Sequence, residues 1–240
     1  MSHPEQQIER LLTRLVPNIE DGWDGATREE IAEIEAIAGR PLPDFYRWFL
    51  RRMGRPELRQ HRLHGRPGDR DVPRRDRTAG STIPPHRRQT DPEVPMHTWY
   101  DLERPARHDS LVFDREIEGE LVQLVSETFR ELLAWKAMFN FRLPTFPCQC
   151  KGSLRAAGTG ISARIERALS NHGFEQPIST GPFCKLFDRP DAAMICRATP
   201  RGSDTVRLYF RLAAANDSSL RRILRVVEKE ADLEVGTDDP

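Results

Sequence analysis

The sequence predicts an α+β protein in which helices pack on one antiparallel sheet, followed by a smaller α+β unit. Near the N-terminus, apolar residues repeat at helical spacing, which indicates amphipathic helices. Further along, short stretches alternate apolar and polar residues between turn-forming residues, which indicates half-buried strands. The length of 240 residues suits one large domain or two small ones.

The first predicted helix covers residues 4–16. Apolar residues recur at helical spacing from Ile8 to Val16, and Pro17 ends the helix because proline cannot continue its hydrogen bonding.

The second predicted helix begins after Thr27. Thr27 and Glu30 have the spacing of a capping box, in which each side chain accepts a hydrogen bond from the other residue's amide. Gly39 is expected to end the helix in a left-handed conformation. The stripe predicted to be buried consists of Ile31, Ile34, Ile37 and Ala38.

A third helix is predicted from a cap at Asp44 to Gly54, after an extended turn held by Pro41 and Pro43. One face of this helix carries Phe45, Trp48, Phe49 and Met53. Such a cluster is either a docking groove or ordinary core, and core is the favoured interpretation.

Several residues of these helices form an ordered series: Glu29, Glu30, Glu33, Glu35, Gly39, Leu42-Pro43, Tyr46, Phe49-Leu50 and Gly54. The series resembles the SUKH superfamily, which includes fungal cell-wall-assembly regulators (Smi/Knr-like proteins) and many bacterial immunity proteins. The resemblance covers about residues 20–140. It implies helices packed on an antiparallel sheet and binding to another protein, in bacteria often a toxin such as a nuclease or deaminase.

Residues 55–90 interrupt this pattern, because they are rich in Arg, Pro and His and contain no aromatic residue. Three interpretations remain open. The segment is a basic arm that binds nucleic acid, a solvated surface insertion, or GC-rich coding read out of frame. The SUKH pattern implies the first strands at this position.

The middle of the chain predicts two strands at 95–102 and 110–113, joined by a turn at 103–109. A further strand is predicted at 121–125. Ser126 is expected to cap a helix that runs to about Phe139 and resembles the closing SUKH helix.

The C-terminal part predicts a linker at 146–160, rich in glycine and small residues, and then a small α-β-β-β-α unit at 161–240. The first domain is therefore expected to span 1–145. The predicted elements of the small unit are a helix at 161–172, strands at 174–179, 183–187 with 192–197, and 205–212, and a final helix capped by Ser218 or Ser219.

The sequence predicts no catalytic, cofactor-binding or metal-binding residue. The residues considered for such roles are His97, Asp101, His108, Asp109, His172 and the four cysteines Cys148, Cys150, Cys184 and Cys196. Their spacing matches no ligand or nucleophile motif, so the first four are expected on the surface or in turns and the cysteines as incidental thiols.

The composition of the chain limits the classes of function that it can have. The formal net charge is +0, which gives the whole molecule no bias toward nucleic acid or membranes. The N-terminus lacks the pattern of an export signal, and the cysteines do not form a disulfide framework, so a cytoplasmic protein is expected. The leading hypothesis is a non-catalytic protein-binding module without cofactors, an immunity protein that neutralises a toxin. The alternative is a nucleic-acid-associated regulator that binds through residues 55–90.

Overall fold

The computed structural model describes residues 3–54, 82–83, 96–106, 109–116, 122–156, 160–198 and 207–238. The chain divides into two compact units. One is formed by Asn18–Arg130, and the other by Met1–Pro17 together with Glu131–Pro240. The architecture is α+β, as the sequence predicts.

The first two helices of the chain follow the sequence patterns closely. Helix α1 spans Pro4–Leu15 and α2 spans Arg28–Ala38. The capping box is confirmed, because the Thr27 hydroxyl accepts from the Glu30 amide at 3.1 Å and the Glu30 carboxylate accepts from the Thr27 amide at 2.9 Å. Gly39 has a φ of 68°, the left-handed conformation that glycine adopts without strain.

Helix α3 spans Asp44–Met53. The predicted cap at Asp44 is wrong, because Pro43 occupies the cap position and Asp44 is already the first helical residue. Ile37 also differs from prediction. Its side chain is 86% exposed, whereas Ile31 and Ala38 of the same predicted stripe are buried.

The sheet of the Asn18–Arg130 unit is antiparallel, with the order β1-β2-β3-β4. Its strands are β1 (Thr82–Ile83), β2 (Met96–Ala106), β3 (Asp109–Glu116) and β4 (Val122–Ser126). Strands β2 and β3 extend into the predicted turn at 103–109. Their register shifts between Asp101 and Pro105, where an irregularity accommodates the proline within the strand.

Five aromatic side chains form the core of this unit and are all buried: Phe45, Tyr46, Phe49, Tyr100 and Phe129. Tyr46 of α3 and Tyr100 of β2 bring the helix onto the sheet, with ring centroids 4.5 Å apart. The aromatic face of α3 is therefore core rather than a groove. Trp48 is only half-buried and contacts the Phe45 ring.

Helix α4 spans Phe129–Ala137, and its first two residues belong to the Asn18–Arg130 unit. The predicted cap at Ser126 is wrong, because Ser126 is the last residue of β4. The Asp109 carboxylate takes the capping role instead and accepts the Arg130 amide at 3.0 Å.

The second unit is built on a five-stranded antiparallel sheet of order β6-β7-β8-β5-β9. Its strands are β5 (Cys148–Arg155), β6 (Cys184–Arg189), β7 (Ala192–Ala198), β8 (Arg207–Ala214) and β9 (Glu234–Asp238). The predicted linker at 146–160 is therefore wrong over most of its length. Glycine and small residues suggested a linker, but β5 lies inside the sheet between β8 and β9.

Helices α5 (Ile161–Asn171) and α6 (Asp217–Glu230) bury their apolar faces in the core of this unit. Phe210 and Leu212 of β8 share that core with Ile165 and Ile223. The cap of α6 is Asn216, whose side chain accepts the Ser219 amide at 2.9 Å, so neither predicted serine caps it. The predicted strand at 174–179 is reduced to one bridge, between Glu175 and Asp188.

Candidate binding surfaces

The structure does not assemble the polar residues considered from the sequence into one site. Asp101 lies opposite Leu111 in the β2–β3 ladder, and Asp109 lies opposite Ala106 at its end. Both aspartates are buried, so their expected surface position is wrong. His97 lies in β2, and His108 falls outside the described residues.

Asp109 is a buried helix cap. Its carboxylate accepts the Ser110 amide at 2.9 Å and the Arg130 amide at 3.0 Å. Burial raises the pKa of Asp109 to about 6, and the backbone amides of Arg130, Ser110 and Phe129 partly oppose this rise. These contacts give the residue a structural role at the start of α4.

The four cysteines are free thiols. Burial raises the pKa of Cys150 to about 11 and of Cys196 to about 12, and it raises the pKa of Cys184 further still. A thiolate is the reactive form, so these positions favour inert thiols over a nucleophile. His172, the base considered for them, instead lies 2.6 Å from the Glu230 carboxylate through Nε2.

A cleft of about 250 Å³ in the second unit surrounds the buried side chain of Asp188. Arg14 Nη2 lies 2.8 Å from Asp188 Oδ2, and Arg142 Nε lies 2.8 Å from Asp188 Oδ1. The third guanidinium at this cleft, that of Arg189, binds the Asp191 carboxylate and the His172 carbonyl. The arginines are thus committed to internal partners, which indicates a structural ion-pair cluster.

The turn between α2 and α3 is held by one carboxylate. Glu35 Oε1 accepts the Leu42 amide at 2.9 Å and Arg47 Nε at 2.8 Å. The hydrogen bond from Leu42 is the largest influence that lowers the pKa of Glu35, so the group remains an anion and an acceptor at neutral pH. This clasp holds together the helical hairpin formed by α2 and α3. The Arg40 side chain donates a hydrogen bond to the Leu102 carbonyl at 3.1 Å, which fixes the hairpin on the sheet.

Ile37 lies in the last turn of α2, close in sequence to this clasp. Its 86% exposure leaves almost the whole isoleucine side chain in water. Burial of such a side chain is worth about 1.5–3 kcal/mol, so a partner that covers Ile37 gains affinity from it. The hairpin therefore offers an apolar contact on a preorganised element.

The second unit presents a surface on the sheet side opposite its helical core. We define the basic aromatic face as Lys151, Arg155, Arg197, Arg207, Tyr209 and Arg211, with Trp135 and Phe139 beside it. Strand β8 shows the origin of this face, because its residues alternate exposed and buried from Arg207 to Leu212. The buried positions enter the helical core, and the exposed ones form the face.

Aromatic rings are accessible within this face. Tyr209 is 49% exposed and lies under the Arg207 guanidinium, at 5.4 Å from its ring centroid. Phe139 stacks on Trp135 at 4.9 Å and carries the Arg211 guanidinium at 4.7 Å. A cleft of about 220 Å³ lies beside Trp135, Tyr209 and Arg211.

Two like-charge pairs occur on the same face. Lys151 lies directly opposite Arg211 across β5 and β8, and Arg155 lies directly opposite Arg207. Like charges in this arrangement destabilise a sheet. Among the described residues, none of these four cations forms an ion pair. Acidic residues occur on the edge strand β9 at the positions opposite two of them, Glu234 opposite Arg155 and Asp238 opposite Lys151.

The sequence predicts only part of the basic aromatic face. The alternation of Arg207, Tyr209 and Arg211 is visible and predicts a half-buried strand. Lys151 and Arg155 fall within the predicted linker, and their pairing with β8 is a long-range register that local pattern does not encode. A net charge of zero hides the local excess of cations.

Comparisons with protein-family models, with curated proteins and with solved structures give no match to this chain. Over the residues that the structure describes, histidine, cysteine, aspartate and glutamate form no group of three or more suited to a metal ion. The described helices include none with the length and apolar character needed to cross a bilayer.

Proposed function

We propose that this chain is a non-catalytic, SUKH-like binding protein that acts by covering one protein partner, as an immunity protein covers a toxin. The observation that carries the proposal is Ile37, an almost fully exposed isoleucine on a hairpin that a buried aromatic core and the Glu35 clasp hold in place. Preorganised elements lose little conformational entropy on binding, which favours affinity at such a site.

Support also comes from the first unit as a whole. Its aromatic residues are used for packing, and its buried Asp109 caps a helix. The buried aromatic residues and Asp109 of this unit therefore have structural roles, and we assign recognition to its surface. We also propose a cytoplasmic location, which the four free thiols favour because thiols stay reduced there.

The experiment is a growth-rescue assay. The chain is co-expressed with the product of an adjacent toxin-like open reading frame, and rescue of growth together with a stoichiometric complex is expected. Ile37→Glu places a charge at the expected contact and should abolish rescue, since a buried unpaired charge is strongly unfavourable. Ala32→Glu is the matched control, because Ala32 is also exposed on α2 and the same charge is introduced.

Loss of rescue with Ile37→Glu and retention with Ala32→Glu supports the proposal. Equal behaviour of the two variants, or the absence of any stoichiometric protein complex, contradicts it. Of residues 55–90 the structure describes only Thr82–Ile83, so the alternative hypothesis, a regulator that binds nucleic acid through this segment, stays a prediction.

A further inference from the structure

We propose that the basic aromatic face of the second unit binds single-stranded nucleic acid. The site differs in chemistry from the hairpin that we propose binds protein, because it combines arginine and lysine side chains with an accessible aromatic ring on the exposed part of the sheet side opposite α5 and α6. It also differs from the Arg-rich segment at 55–90.

The face carries four cations in two cross-strand pairs. Lys151 faces Arg211 and Arg155 faces Arg207, and like charges directly opposite each other repel. On β9, Glu234 and Asp238 lie opposite Arg155 and Lys151, whereas the described strands place no acidic residue opposite Arg207 or Arg211. An anionic ligand relieves that repulsion and gains charge-assisted hydrogen bonds from the guanidinium groups. Arg211 and Arg207 lie on β8, the central strand of the sheet, so the positive charge is centred on the face and the acidic residues lie on its edge strand.

The face also exposes an aromatic ring. Tyr209 lies on the same strand, between the two exposed arginines, and is 49% exposed. A base that stacks on this ring places its phosphates within the range of Arg207 and Arg211. Trp135 and Phe139 provide a second aromatic surface beside the cleft of about 220 Å³.

The combination of cations and an accessible ring favours single-stranded nucleic acid over other anionic partners. A duplex keeps its bases stacked inside and offers no base face to Tyr209, whereas an unpaired base stacks on an aromatic side chain in a sequence-tolerant way. An acidic protein surface satisfies the cations but gains little from a flat exposed ring. Single-stranded nucleic acid uses both the cations and the exposed ring, because its phosphates pair with the cations and its bases stack on the ring.

Fluorescence anisotropy of the full chain with a labelled oligouridylate and a labelled oligothymidylate tests the proposal. Binding is expected to weaken as salt rises. Tyr209→Ala should raise Kd about tenfold or more, because it removes a base-stacking surface, and Tyr209→Phe should bind like the unaltered chain. The double variant Arg207→Ala with Arg211→Ala should reduce the slope of log K against log salt by about 1.4, which is about 0.7 for each lost phosphate contact.

The matched control is Arg222→Ala with Arg225→Ala, which removes the same charge from exposed positions on α6, the helix on the other side of the sheet. This control should keep both affinity and salt slope. The proposal is overturned if the face variants bind as well as the control, which would assign binding to another segment. It is also overturned if polyglutamate displaces the oligonucleotide at equal charge concentration and Tyr209→Ala has no effect, which would indicate an acidic protein partner.

Discussion

Arg155 and Arg207 lie directly opposite each other across strands β5 and β8, and neither forms an ion pair within the described residues. Replacing one with an acid converts a repulsive cross-strand pair into an attractive one. We expect Arg207→Glu to raise the free energy of unfolding by about 0.5 kcal/mol. Thermal unfolding followed by circular dichroism measures the change.

Arg222→Glu is the control for this substitution, because it introduces the same charge change at an exposed helical position. It should leave the midpoint of unfolding nearly unchanged. A lower midpoint for Arg207→Glu would show that the contact of Arg207 with the Tyr209 ring outweighs the repulsion. A gain in stability with a loss of nucleic-acid binding is the pattern expected of a surface kept for function.

Phe129 holds the first unit together through four ring contacts. Its centroid lies 4.7 Å from that of Phe49, 5.0 Å from Tyr100 and 5.6 Å from Tyr46, with Phe45 at 6.3 Å. Phe129→Ala removes a fully enclosed ring and should lower the free energy of unfolding by about 3–5 kcal/mol. Urea denaturation measures the loss. Trp48→Ala should cost clearly less, because Trp48 is half-buried, and equal losses would contradict this view of the core.

Local signals in the sequence were sufficient for much of this fold. The capping box at Thr27 and Glu30 and the glycine end at Gly39 depend on neighbouring residues alone, and both appear as predicted. Strand β8 also follows its alternating pattern. In each case the residues that determine the structure lie within a few positions of one another.

The wrong predictions concern features that depend on residues far apart in the sequence. Nothing near Phe129 in sequence reveals that Asp109, twenty residues earlier, caps its helix. Glycine and small residues at 152–160 resemble a linker, yet Gly152 is required in β5, because a Cβ there would lie 2.1 Å from the Gly236 carbonyl oxygen on the neighbouring strand. Close approach of two strands is a tertiary property that composition does not express.

Asp109 should make stability depend on pH. Its pKa in the folded protein, about 6, lies above its ordinary value of 3.8, because burial disfavours the charged carboxylate. The folded state therefore binds the proton more tightly than the unfolded state. The contribution is fully present below about pH 4 and is lost as pH rises through about 6, with a magnitude on the order of 3 kcal/mol.

Asp109→Asn removes this titration and keeps an oxygen that can accept an amide of α4. The aspartate protein should therefore lose stability relative to the asparagine variant as pH rises from about 4 to about 7. Urea denaturation at several pH values measures it. A difference that is constant across this range would contradict the assignment.

Asp188 ties helix α1 to the sheet of the second unit, although the two elements lie far apart in sequence. Its buried carboxylate binds Arg14 of α1 and Arg142 after α4, both at 2.8 Å. Asp188→Asn leaves these guanidinium groups without a counter-charge and places an amide nitrogen against one of them. We expect a loss of about 2 kcal/mol in the free energy of unfolding, which is less than for a fully buried ion pair because the Arg14 side chain is 54% exposed and remains solvated.

The control is Asp232→Asn, which removes a partner of Arg164 at a similar distance of 2.7 Å but with a side chain that is 96% exposed. Water screens such a pair, so a loss below about 1 kcal/mol is expected. Protease susceptibility of the α1 segment separates two origins of the Asp188 effect. Faster cleavage at α1 in Asp188→Asn shows that the ion pair anchors the helix, whereas unchanged cleavage shows that the cost lies within the sheet and that α1 is held by its apolar face alone.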